Sequence, residues 1–240
     1  MEAGRAAFSW RDSMLRVRRL VRELRRKGFH FSGLIIPAVY YLGLRFRIPG
    51  SDRPWLTEES AGWIIGAGAA SYLVLEIVRL CDPLANRLFV RLFRVILRPS
   101  EVTEITGSAY YLVGAFLSVL LFPPVIAIAA ILFLVFGDFA AALVGTSIGR
   151  IKLFPPKSLE GSAGCLVACL GVGLALFWHV KPVWPVATLL ALAGAVATTV
   201  VECLPWRLND NLTIPLAAGL TLWFAARLLN LVELPLPLPW

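Results

Sequence analysis

Between Gly137 and Ser162 the chain reads GDFAAALVGTSIGRIKLFPPKSLEGS: an apolar helix acquires an aspartate, runs into a basic loop and restarts at a serine. Asp138, Ala142, Gly145 and Gly149 follow an i, i+4, i+7, i+11 spacing, which on a helix gathers one acid and three small residues into a narrow stripe. Such a stripe lets another element approach closely. The loop supplies Arg150, Lys152 and Lys157 and is stiffened by Pro155-Pro156. Ser158 then reads as an N-cap whose helix turns its free N–H groups, with Lys157 beside them, toward any phosphate oxygen that reaches them. The plain alternative is a cap and nothing more.

Composition sets the class around this stretch. The 240 residues are 58% apolar and 16% charged, with a mean hydropathy of +0.76, well beyond the apolar share of soluble domains. The chain reads as an all-α integral membrane protein of about seven transmembrane helices, near 31–44, 61–78, 107–121, 124–147, 161–178, 183–203 and 211–230. Residues 1–30 form a basic interfacial segment and 31–240 a single membrane domain. Net charge is +8, but the cations cluster between apolar runs, the pattern of a membrane surface and not of a nucleic-acid interface. The four cysteines contain no C-x-x-C pair, which argues against a structural metal or a disulfide framework. No h-region lies within the Arg-rich opening, so no cleavable signal is expected there; an organelle transit peptide is the alternative reading.

Orientation follows from the distribution of Lys and Arg. With the N-terminus inside, eighteen of the 23 fall on the inner side and five on the outer, so seven spans leave the N-terminus cytoplasmic and the C-terminus outside. Arg25, Arg26 and Lys27 stand directly before the first span, as a topology anchor or as phosphate ligands. In 84–98, Arg87, Arg91, Arg94 and Arg98 share one arc of a helix and Leu84, Leu88, Leu92 and Val95 another. An amphipathic helix lying in the cytoplasmic interface is expected, as an anchor or in direct contact with substrate, while residues 1–30 are expected on anionic lipid headgroups.

Asp138 is the central functional candidate, because an ionised carboxylate within a span costs on the order of 3 kcal/mol and is rarely kept without a task. Glu202 ends the sixth apolar segment and Asp210-Asn211 open the seventh, adding carboxylates at the same side. Capping alone accounts for Asp210 or Asn211, less easily for Glu202. A soluble nucleotide fold is excluded: there is no G-x-x-x-x-G-K-[ST], no H-R-D or D-F-G set, no zinc motif and no G-x-S-x-G.

Taken together, Arg26-Lys27 with His30, Glu101 with Thr106-Gly107, Gly137-Asp138 with Gly145 and Gly149, the run from Lys157 to Ser162, and Glu202 with the run from Asp210 to Pro215 resemble the CTP-dependent polyprenol kinases. That family includes dolichol kinase, phytol kinase and yeast-type diacylglycerol kinase. The resemblance spans about residues 26 to 215. It implies transfer of the CTP γ-phosphate to the hydroxyl of a membrane lipid alcohol at the cytoplasmic face, with Mg²⁺ or a similar divalent cation.

On that reading Asp138, Lys157 and Glu202 are catalytic. Arg26, Lys27, Gly145, Gly149, Arg150, Lys152, Ser158, Glu160, Ser162 and Asn211 bind the nucleotide. Asp138, Glu202 and Asp210 hold the metal, Asp138 either as ligand or as acceptor of the hydroxyl proton. The chain lacks the extra spans of longer dolichol kinases, which leans the substrate toward diacylglycerol or a shorter isoprenoid alcohol. A bacterial inner membrane is the expected location, with an endoplasmic-reticulum or organelle-envelope membrane as the alternative. A CDP-lipid synthase resembling the phosphatidate cytidylyltransferases, or a small ion-coupled transporter with Asp138 and Glu202 as its carboxylates, would use the same acids differently.

Overall fold

The structure, a computed structural model, describes Val21 and residues 27–29, 31–205 and 208–231. Among these, eight α-helices make up the architecture: α1 (Ile35–Arg45, preceded by a 3-10 turn Phe31–Leu34), α2 (Glu58–Cys81), α3 (Pro83–Phe93), α4 (Gly107–Leu121), α5 (Pro124–Ser147), α6 (Leu159–Val180), α7 (Trp184–Cys203) and α8 (Asp210–Leu228). The described residues contain no β-strand, only isolated bridges Arg47 to Pro54 and Lys152 to Ser158.

Local chemistry explains where the helices begin. Thr57 and Ser60 form a reciprocal capping box at α2, Asp82 caps α3 with Pro83 just inside, and Thr106 and Ser158 accept N–H groups from α4 and α6. Each satisfies a donor that a helix start leaves orphaned. Pro123 and Pro124 make the tight α4–α5 connection, with Pro124 in the first turn where its missing N–H costs nothing.

All seven apolar segments contain a helix. Four, α2, α5, α6 and α7, are long and apolar enough to cross a membrane. The 11 residues of α1 and 15 of α4 are short for a perpendicular span, and α8 carries Asp210, Asn211 and Arg227. The amphipathic helix ends at Phe93, not at 98. Residue 98 precedes Pro99, which disfavours the helical region there, and the Arg98 N–H donates to the Glu101 carboxylate at 2.7 Å. Arg87 and Arg91 therefore lie on α3, Arg94 caps it, and Arg98 belongs to the following loop.

Helix α5 is the axis of the bundle. Its residues from Val125 to Val135 are largely buried, and it packs on α6 and α8 while α6 packs on α7 and α7 on α8. Small residues make these contacts close. A Cβ on Gly161 would lie 2.9 Å from the Ala141 carbonyl oxygen and 3.3 Å from Gly145 Cα; one on Gly173 would lie 2.9 Å from Ala191 Cβ. This is small-residue packing of the kind membrane helices use. By contrast α2 and α3 expose large apolar side chains, such as Trp63, Ile77 and Leu92, as a lipid-facing surface does.

Candidate active site

The starts of α4, α6 and α8 and the ends of α5 and α7 meet at one end of the bundle, and the polar residues of the sequence converge there. Asp138 lies nine residues before the end of α5, about 14 Å along its axis. Its carboxylate takes a hydrogen bond and ion pair from Lys27 Nζ. Lys27 is buried, with its side chain 5% exposed against 16% for Asp138.

A second cluster forms around Lys157. Its ammonium donates to Asp210 Oδ2 at 3.1 Å and to the backbone carbonyl oxygen of Glu202, and lies 3.6 Å from Glu202 Oε1. That carbonyl is in the last turn of α7, where helix carbonyls lack intrahelical donors and carry partial negative charge, so the lysine caps α7 as well as pairing with side chains. Asp138 lies close enough that its charge acts on both Glu202 and Asp210. Three carboxylates and two ammonium groups thus occupy one half-buried region.

The remaining predicted residues divide by place. Ser158 is the N-cap of α6, its Oγ accepting the Gly161 N–H at 3.2 Å, and Gly145 fits against it: an added Cβ would sit 3.2 Å from Ser158 Oγ. The small stripe after Asp138 therefore receives the start of α6, which accounts for Gly145 and Gly149 by packing. Glu160 folds back onto the loop, its carboxylate accepting the N–H groups of Arg150 at 3.0 Å and Ile151 at 3.2 Å. Of the three cations of that loop, Arg150 and Lys152 are at the surface. Ser162 is buried and its hydroxyl has no hydrogen-bond partner among the described residues. Arg26 and His30 lie outside the described residues.

Asn209, and neither Asp210 nor Asn211, caps α8, its side chain accepting the Asn211 N–H at 3.0 Å. That leaves Asp210 to Lys157 and Asn211 to reach across to α4, where Nδ2 donates to the Gly107 carbonyl at 2.8 Å. Pro215 has no N–H for the Asn211 carbonyl four residues back, and Gly114 of α4 packs against that carbonyl, an added Cβ falling 2.6 Å from it. Glu101 completes this corner by accepting the Gly107 N–H at 2.8 Å.

A chamber of about 830 Å³ opens beside Asp138. Its polar lining includes Lys27, Asp138, Asn211, Glu101, Thr106, Arg79 and Arg98, while Leu75 and Val78 of α2, Leu88 and Leu92 of α3 and Ile36 of α1 make much of the rest. Lys157, Glu202 and Asp210 do not line it. Asp138 therefore stands between an apolar chamber on one side and the lysine–carboxylate cluster on the other.

Two groups in and behind this wall escaped the sequence reading. Glu76 and Arg79 of α2 are buried at 1% and 2% exposure and pair at 2.6 Å. Arg79 donates to the carbonyl oxygens of Glu101 at 3.0 Å and Glu104 at 2.8 Å, and Glu76 accepts the Thr106 N–H at 3.0 Å. Together they pin the 100–106 loop that carries Glu101. The available signal was a glutamate three residues before an arginine at the end of an apolar run, which a count of topology charges absorbs.

Among the described residues no three His, Cys, Asp or Glu side chains are gathered to hold a metal by themselves. The donors near Asp138 are hard oxygens, the type Mg²⁺ takes, and Mg²⁺ needs only one or two protein carboxylates when phosphates and water supply the other positions.

Four helices of membrane-crossing length, packed around a chamber that is largely apolar, define an integral membrane protein. The chain is 29% identical over 159 residues to CTP-dependent diacylglycerol kinase 1 of Schizosaccharomyces pombe, covering 62% of this chain and 73% of that protein. It is 25% identical over 223 residues to the protein of the same name from Saccharomyces cerevisiae, covering 82% and 71%. An uncharacterized protein of Rickettsia prowazekii is 28% identical over 200 residues, covering 81% and 90%. The chain is thus a distant homologue of the yeast CTP-dependent diacylglycerol kinases. No known family profile matches it, and no solved structure does.

Proposed function

We propose that the protein is a CTP-dependent lipid kinase that phosphorylates the hydroxyl of a membrane lipid alcohol, diacylglycerol or an isoprenoid alcohol. The observation that carries this reading is the position of Asp138: its carboxylate meets the polar end of an apolar chamber, with Lys27 on it and the Lys157–Glu202–Asp210 cluster behind it. The relatives' activity supports the donor and the acceptor class. Charge asymmetry supports placing this end of the bundle in the cytoplasm, where the nucleotide is.

In this proposal the alcohol enters the chamber tail-first from the bilayer and presents its hydroxyl to Asp138. The alcohol oxygen bonds to the γ-phosphorus, the bond from that phosphorus to the β–γ bridging oxygen breaks, and CDP leaves. Asp138 orients the hydroxyl and receives its proton. Lys27 holds the carboxylate in place and offsets negative charge that grows on the transferring group, a reaction that depends on positioning and electrostatics more than on covalent catalysis. Arg150, Lys152 and the α6 start lie on the side from which the triphosphate approaches, and Lys157 orders Glu202 and Asp210. A divalent cation bound with the nucleotide would neutralise phosphate charge, with Asp138, Glu202 and Asp210 as its candidate protein ligands.

The test is purified protein with γ-labelled CTP or ATP, offered separately against diacylglycerol, phytol, geranylgeraniol and long polyprenols. Labelled lipid made from CTP with release of CDP is expected. Pyrophosphate release with a phosphatidate substrate would instead identify a CDP-lipid synthase, and solute uptake into proteoliposomes without nucleotide consumption a transporter.

A further inference from the structure

A second concavity, of about 580 Å³, lies along the basic flank of α3 and is lined by Asn86, Arg87, Val90, Arg91, Arg94 and Val102. It holds three guanidinium groups and no carboxylate, and none of the three makes an ion pair or hydrogen bond with a described residue. Arg87, Arg91 and Arg94 recur at i, i+4 and i+7, and because the C-cap Arg94 keeps helical backbone angles, α3 and its cap present all three on one face. Three like charges brought to one hollow without internal compensation repel one another, and a multivalent anion relieves that. Phosphate fits, because guanidinium forks bind its oxygens in pairs.

The same helix says what carries the phosphate. Leu84, Leu88 and Leu92, on another face of α3, are 58, 55 and 76% exposed. A helix with an open apolar face, a basic face and membrane-crossing neighbours lies in the bilayer interface. A ligand that reaches the arginines there has its phosphate at headgroup depth and its chains in the bilayer beside α3. We propose that Asn86, Arg87, Arg91 and Arg94 form a binding site for the phosphate headgroup of an anionic bilayer lipid, separate from the chamber beside Asp138.

The site is wired to that chamber. Asn86 donates to the Val102 carbonyl at 3.0 Å and accepts from Arg79 at 3.2 Å. Val102 belongs to the loop whose Glu101 holds the Gly107 N–H, and Gly107 holds Asn211. On its other flank α3 walls the chamber through Leu88 and Leu92. Lipid occupancy therefore steadies a wall of the proposed catalytic site. The link to catalysis rests on the kinase reading; the binding does not.

The test reads binding directly, by native mass spectrometry of the purified full chain in detergent with phosphatidate, phosphatidylglycerol or phosphatidylcholine. The wild type is expected to retain both anionic lipids in preference to phosphatidylcholine, and inorganic phosphate or glycerol 3-phosphate should not displace them. Each Arg→Gln change should weaken retention about fivefold, and R87Q/R91Q/R94Q on the order of a hundredfold. R87K/R91K/R94K, which keeps the charge and loses the paired geometry, should fall between. In neutral micelles the triple Gln variant should keep its basal kinase rate and lose any response to anionic lipid.

Equal retention of phosphatidylcholine by the wild type overturns the proposal even if every variant misfolds. So does undiminished retention by the folded triple variant, and displacement by inorganic phosphate overturns the lipid as source. Should the chain phosphorylate no lipid at all while these binding results hold, the kinase reading fails and this site stands.

Discussion

The Lys27–Asp138 pair can be taken apart by a double-mutant cycle. Lys27→Met leaves a carboxylate 16% exposed without its ammonium, and Asp138→Asn leaves an ammonium 5% exposed without its carboxylate. Two unit charges about 4 Å apart attract by about 4 kcal/mol at an effective dielectric constant of about 20, and removing one partner of a buried pair typically costs about 3–5 kcal/mol. The chamber keeps Asp138 partly solvated, so about 3 kcal/mol for each single change is the working figure. For a chain of this size that is a fall in melting temperature of about 6–12 °C.

The double variant removes both members of this pair, so it should be more stable than the sum of the two losses by about 2 kcal/mol or more. Thermal unfolding in detergent measures the stability arm and lipid phosphorylation the other. Asp138→Asn and the double variant should both lose at least about a hundredfold in turnover, since restoring stability does not restore the carboxylate. Additivity within about 0.5 kcal/mol would show that the two side chains do not meet. Near-normal turnover by correctly inserted Asp138→Asn would refute its place in the reaction.

Three further outcomes follow from the geometry. Gly161→Ala drives a methyl to 2.9 Å from the Ala141 carbonyl oxygen and 3.3 Å from Gly145 Cα, and should destabilise by about 1–3 kcal/mol in thermal unfolding, whereas Gly171→Ala, with nothing within 4 Å, should be neutral or stabilise by up to about 1 kcal/mol. Arg79→Met leaves buried Glu76 unpaired and frees the carbonyls of Glu101 and Glu104, so a loss of about 3–5 kcal/mol is expected, with faster hydrogen exchange across residues 100–107. Lys157→Gln removes the only ammonium shared by Glu202 and Asp210 among the described residues; kinetics with CTP as the varied substrate should show KM raised, because two uncompensated carboxylates then face the incoming triphosphate.

How much of this was legible in the sequence depends on the range of the physics involved. Helix starts are local, set by Thr57, Asp82, Thr106 and Ser158 within three residues of the N–H groups they cap, and hydropathy marks the segments that α2, α5, α6 and α7 occupy. The C-terminal limit of α3 is local too, since Pro99 stands in plain view, yet the arginine periodicity continued through Arg98 and masked it.

What no spacing announces is partnership. Asp138 and Lys27 are 111 residues apart, and Lys157 and Asp210 are 53; their pairing is decided by which helix ends α5, through its buried Val125–Val135 face, brings to one level. The same packing gives predicted ligands structural contacts, as Gly145 makes room for Ser158 and Glu160 closes its own loop. It also made Glu76 and Arg79, which read as one acid in an apolar run and one more topology charge, into the brace of the loop that bears Glu101. Buried charge in a membrane protein is costly wherever it is. Among the described residues the Glu76–Arg79 brace and the Asp138–Lys27 pair line or support one chamber, with buried Glu202 in the cluster behind Asp138, and that shared location supports the proposed reaction on a lipid.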